Sequence, residues 1–206
     1  MSSTSDVLHN VKSTMVDYHH DSAGARQKVQ IAGTYTDLRE AKEAAKSALY
    51  SLGYDRNFFE EYHVQDTDFS WPHSGSVLVY ARAPTGEDFT VEIETVSNTL
   101  KQPWKTADRG SRVNQVLFYV LQSRINYELE HAGVERISSI YGIYYSAEDA
   151  DRAARNALLE ENLSKEDFAE YEEFTNQPDW AFGDDVMVHA VGKNGVRFLV
   201  TVVKAG

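Results

Sequence analysis

The chain is written twice. Shifted by 109 positions, its halves align without a gap from Tyr18 on Tyr127 to Val91 on Val200. Gly33 recurs as Gly142, Tyr35 as Tyr144, Phe59 as Phe168, Tyr62 as Tyr171, Trp71 as Trp180 and Gly86 as Gly195. Turn glycines, bulky aromatics and helix alanines are what a fold needs at set places, so this pattern marks one supersecondary unit used a second time. Any fold for the 206 residues must therefore satisfy the same local pattern twice.

The most strongly repeated stretch predicts an amphipathic helix over 36–52, TDLREAKEAAKSALYSL, and again over 145–161. Ala41, Ala44, Ala45, Ala48 and Leu49 recur as Ala150, Ala153, Ala154, Ala157 and Leu158, at the spacing of one helix face. So small a face lets the helix axis lie close to a sheet. Asp37 with Glu40, and Ser146 with Asp149, have the spacing of an N-terminal capping box. A second start signal, Asp55 or Ser164, opens NFFEEY and EDFAEY, which read as single helical turns.

Around these lie strand pairs. Alternation over 12–18 and 27–35 predicts a hairpin turning at 21–24, and its counterpart turns at 130–133; residues 1–10 read as a polar, frayed start. Each half closes on another hairpin, SVLVYARA-PTGE-DFTVEIET and DVMVHAV-GKNG-VRFLVTVV. The expected fold is α+β: a tandem ββαββ unit, an antiparallel sheet with one alanine-rich helix packed on it per copy. The expected boundaries are 1–96 for the first repeat, 97–112 for a basic linker and 113–206 for the second repeat.

Composition narrows the function classes. There is no cysteine, so disulfide scaffolds, zinc–thiolate sites and thiol nucleophiles are excluded. Net charge is −7 over 1–96, +3 over 97–112 and −8 over 113–206, and both copies repel polyanions, so no nucleic-acid partner is expected. With no apolar run long enough to span a bilayer and no signal-peptide pattern, no membrane partner is expected and a cytoplasmic location is.

Strand alternation separates the copies. In the first, Val77, Val79, Ala81, Phe89, Val91 and Ile93 share one face, and Leu78, Tyr80, Arg82, Thr90, Glu92 and Glu94 form a polar, wet one. In the second, the opposite face carries Met187, His189, Val191, Leu199, Thr201 and Val203. Contiguous apolar surface needs a cover. Met187, His189, Val191, Leu199 and Val203 are therefore the expected interface of a homodimer, or of contact with another protein, the alternative being cover by the first copy within the chain.

Motifs for chemistry are missing: there is no Walker loop, GxGxxG, GxSxG or HExxH, and no catalytic residue, metal site or cofactor is assigned. The seven histidines read as surface and turn residues, and the least unfavourable metal site joins His63 to Asp66 or Asp68. Tyr18, Tyr35, Tyr62 and Trp71, with Tyr127, Tyr144, Tyr171 and Trp180, either fill a core or line small-molecule pockets. From the second strand onward, the element order and the phrase ALYSLGY after the helix resemble the vicinal oxygen chelate architecture of glyoxalase-type enzymes. That resemblance implies paired modules and a metal-dependent activity. The histidine and glutamate it requires are unmatched, Val29 and Gln30 standing in the first region and Thr201 in the last strand. The expectation is a non-enzymatic interaction or assembly protein, self-associating through the second repeat; the alternatives are a small-ligand-binding protein with an aromatic-lined pocket between the repeats, or a metal-dependent enzyme of glyoxalase-like layout.

Overall fold

The computed structural model describes residues 6–18, 27–65, 71–98, 104–106, 110–127, 135–159, 163–175, 180–182 and 185–205. They form two units, residues 1–115 and 116–204, with the final two residues grouped with the first. The first contains β1 (Val7–Asp17), β2 (Gln27–Tyr35), α1 (Leu38–Lys46), α2 (Ala48–Ser51), β3 (Glu61–Val64), β4 (Val77–Arg82) and β5 (Glu87–Ser97). The second contains β6 (Leu117–Asn126), β7 (Glu135–Tyr144), α3 (Ala147–Asn156), β8 (Phe168–Glu173), β9 (Val186–Gly192) and β10 (Arg197–Ala205). Each is a five-stranded antiparallel sheet, in the orders β2-β1-β5-β4-β3 and β7-β6-β10-β9-β8. The duplicated α+β architecture is thus present with one topology in both units.

Three local differences from the sequence pattern have physical causes. The single helix over 36–52 divides at Ser47, whose N–H and Oγ both donate to the Ala44 carbonyl three residues back, closing the turn in place of a regular helical bond. The stretches read as helical turns hold only short 3-10 turns, Arg56–Phe58 and Lys165–Asp167, and continue as edge strands β3 and β8. Most residues of those strands are exposed, so the apolar alternation that reveals a strand is absent there. Strand β1 starts at Val7, so part of the segment read as frayed is sheet. It lies between β2 and β5, so β2 to β5 do not make a contiguous sheet of their own. The turns at 21–24 and 130–133 lie outside the described residues.

At both helix starts the N-cap half of the capping box forms, while Glu40 turns to Ser111 and Asp149 accepts the Ser146 hydroxyl. Asp37 accepts the Glu40 N–H at 2.9 Å, and Ser146 accepts the Asp149 N–H at 3.1 Å. Behind those caps Ala41, Ala45, Ala150 and Ala154 are fully buried. They pack on Val79, Ala81, Phe89 and Val91 in the first unit and on Val188, Ala190 and Val200 in the second.

Paired irregularities also recur. Between Val77 and Val79 the register on β5 moves by a single residue, and the same happens between Val186 and Val188 opposite β10. The extra residues, Leu78 and Met187, join the helix-side clusters, whereas strand alternation placed both on the opposite face. A second irregularity leaves Ala32 and Tyr141 extra, just before Gly33 and Gly142. There the rings of Tyr35 and Tyr144 lie over the glycines: a Cβ on Gly142 would stand 2.7 Å from the Tyr144 hydroxyl oxygen. The recurrence of glycine and tyrosine two residues apart has this cause.

Of the segment 97–112 read as a linker, the described residues include Trp104 and Ser111, and both are buried. Ser111 donates from both N–H and Oγ to Glu40 Oε2, at 2.8 and 3.0 Å, and its carbonyl accepts the Thr36 N–H. Trp104 is fully buried. The boundary between units therefore falls after residue 115.

Candidate functional site

The sheet face turned away from α1 is where the two units diverge. On β1, Asn10 and Lys12 are buried, and the Lys12 ammonium reaches Glu92 at 2.9 Å and Glu94 at 2.6 Å. Asn10 accepts the Thr34 hydroxyl at 2.7 Å and donates to the Glu94 carbonyl. This face is polar, as read from the sequence, but its centre is not wet. Burial alone lowers the Lys12 pKa, yet the bond to Glu94 and the two carboxylate charges outweigh it and the net direction is upward. In the second unit the positions corresponding to Asn10, Lys12 and Thr34 are Tyr119, Leu121 and Ile143, all buried. One unit satisfies this face with ion pairs, the other with apolar side chains.

At the β3–β4 end of the same face stands a cluster of rings. His63 on β3 pairs across the strands with Tyr80, and the segment preceding β4 folds back so that His73 stacks on Tyr80, centroids 4.1 Å apart and planes 24° apart. Trp71 meets His73 edge-on at 4.9 Å and 71°, and donates from its indole N–H to the Ser74 carbonyl. His63 Nδ1 lies 3.0 Å from His73 Nε2. Burial, then the neighbouring His63, lowers the His73 pKa, which favours a neutral ring. Below the stack, Arg82 holds Asp88 through two hydrogen bonds of 2.7 and 3.0 Å, and Asp88 keeps the guanidinium firmly charged. Burial first, then the hydrogen bond with Asp88, pushes the Tyr80 hydroxyl up to about 12.

The second unit repeats this construction with different chemistry. Trp180 meets Phe182 edge-on at 4.9 Å and 73°, and Phe182 stacks on His189 at 3.9 Å and 12°. Glu172, the counterpart of His63, stands 3.2 Å from His189 Nδ1. The Trp180 indole N–H donates to the Val186 carbonyl. The tryptophan and the stacked pair recur with nearly the same geometry, whereas every polar position has changed.

The eight matched aromatics fall into three groups. Tyr35, Tyr62, Tyr144 and Tyr171 pack in the helix–sheet clusters, where Tyr171 also donates to the Arg155 carbonyl at 3.2 Å. Trp71 and Trp180 anchor the ring stacks. Tyr18 and Tyr127 are about half exposed beyond the ends of their strands, with Arg197 over the Tyr127 ring. Within each unit the four are therefore spread over the helix-side cluster, the ring stack and a strand end. An open cleft of about 710 Å³ beside α3 is lined instead by charged residues, among them Arg152, Arg155, Lys165, Asp151 and Glu173. Of the residues read as an interface, Met187 lies in the helix-side cluster and His189 in the ring stack, both buried. Val191, Leu199 and Val203 remain half-buried.

His73 reads from the sequence as a surface or turn residue, because it lies ten residues from His63 in a stretch with no periodicity. The available signal was the duplication itself: both units carry a ring two residues after the repeated tryptophan. Asp66 and Asp68, the carboxylates matched with His63 from the sequence, lie outside the described residues. Among the described residues no group of three or more histidines and carboxylates is arranged to hold a metal ion. No described helix is long and apolar enough to cross a membrane.

Fold and site together define a class, a duplicated α+β protein with one tryptophan-anchored ring cluster on each sheet. No family model, curated protein or solved structure matches the chain.

Proposed function

We propose that the protein is a non-enzymatic assembly module that pairs with a second copy of itself through the β9–β10 face of its second unit. One observation carries this reading. Arg82, Thr90 and Glu94 of the first unit, two of them in ion pairs, are replaced at the corresponding positions by Val191, Leu199 and Val203. These three share the face opposite α3 and stay half-buried, leaving an aliphatic surface where the sister unit is charged. Met187 and His189, which strand alternation places on that surface, pack within the unit, so the proposed contact rests on the other three. A cytoplasmic setting agrees with the cysteine-free composition.

Native mass spectrometry and sedimentation of the wild type and of Val191→Lys with Val203→Glu test this. The expected result is a dimeric wild type and a folded, monomeric variant. A monomeric wild type, or a variant that remains dimeric, overturns the proposal.

A further inference from the structure

We propose that His63 and His73 form a two-histidine site for a borderline divalent transition-metal ion, bound through His63 Nδ1 and His73 Nε2. The two nitrogens stand 3.0 Å apart across the loop joining β3 to β4. Imidazole nitrogens bind such an ion at about 2.0 Å, which puts two of them about 2.8 Å apart when the bonds meet at right angles and about 3.3 Å apart in a tetrahedral sphere. The observed separation falls between these limits. The pair is therefore already spaced as a chelate, and the ion takes the place of the shared hydrogen.

The two rings are held differently, in a way that suits metal entry. His73 is fixed on one side by the Tyr80 stack and at its edge by Trp71. His63 is exposed and its ring meets those of His73 and Tyr80 at centroid distances of 5.4 and 6.0 Å, so a turn of that ring brings both lone pairs towards one point off the line between them. The hydrogen between the rings moves to the outer nitrogen of whichever ring carried it, so two neutral imidazoles replace two waters on the ion and no net proton is released. Waters complete the sphere; Glu61 and Asp88 lie near His73, but both are paired with Arg82, so the imidazole nitrogens and not the carboxylates carry the binding. Nitrogen donors select Cu²⁺, Ni²⁺ or Zn²⁺ over Mg²⁺ or Ca²⁺, with Cu²⁺ the strongest. The site belongs to the first unit alone, because Glu172 and Phe182 occupy the corresponding positions in the second.

That substitution also supplies a variant expected to fold. His73→Phe installs the ring that the second unit stacks on His189, and His63→Gln keeps a polar side chain on an exposed strand position. The experiment is titration of the full chain with CuCl₂ in a non-chelating buffer, followed by calorimetry, nitrogen hyperfine splitting in the electron paramagnetic resonance spectrum, and tryptophan fluorescence. The wild type is expected to bind one more equivalent than either variant, with a two-imidazole signature and quenching of Trp71 that both variants lose, while His73→Phe melts as the wild type does. Equal stoichiometry in the wild type and His73→Phe overturns the proposal. So does loss of the equivalent in only one of the two variants, because the site requires both nitrogens.

Discussion

Lys12→Leu isolates the difference between the two sheet faces. The Lys12 side chain keeps only 5% of its surface exposed and lies within 2.9 Å of both Glu92 and Glu94, whose side chains keep 30% and 20%. Removing one partner of a fully buried ion pair costs about 3–5 kcal/mol, because the remaining charge is left without compensation. Here the two carboxylates retain some water, and that screening reduces the expected loss to about 2–3 kcal/mol. The second unit provides the compensating change. Its residues at the three positions are Leu121, Thr201 and Val203, so Lys12→Leu with Glu92→Thr and Glu94→Val rebuilds an arrangement the fold already accommodates. Replacing a buried ion pair by packed apolar groups is often neutral or better, and the triple variant is expected within about 1 kcal/mol of the wild type. Urea unfolding of the full chain, followed by circular dichroism and tryptophan fluorescence, measures both. A single variant as stable as the wild type, or a triple variant less stable than the single, would refute the reasoning.

Two further outcomes test the packing and the titration of the fold. Ala154→Leu, at a fully buried position of α3 against the sheet, overpacks that contact and is expected to cost about 1–3 kcal/mol; an unchanged melting curve would mean the alanine face is not the contact. Burial is the main cause that pushes both Tyr80 and Tyr171 up to about 12, so the folded protein holds these phenol protons after the unfolded chain, with its ordinary value near 10, has released them. Their contribution is fully present below about 10 and is lost as pH rises towards about 12, so stability should fall across that window. Lys12, also held upward, acts in the same direction. Unfolding midpoints that stay flat across the window, with both phenols ionising near 10, would count against the burial of these hydroxyls.

The duplication, the α+β class, the caps at Asp37 and Ser146 and the alanine faces under both helices were legible from the chain alone. Each depends on neighbours within a few residues or on a period of two or 3.6, and such information is local. What was not legible depended on register. Leu78 and Met187 turn to the helix side because the strand takes one extra residue there, and no alternation count registers an insertion that leaves its neighbours' composition unchanged. The edge strands β3 and β8 were hidden by their exposure, and the burial of Lys12 became visible only once Glu92 and Glu94 were paired opposite β1. His63 and His73 show the same limit most clearly. The residues were in plain view, but only the return of the chain over Tyr80 brings their nitrogens to 3.0 Å. Sequence determined which unit is built and that it is built twice; tertiary structure decided which polar groups face one another, because that is a matter of distance across strands and not of position along the chain.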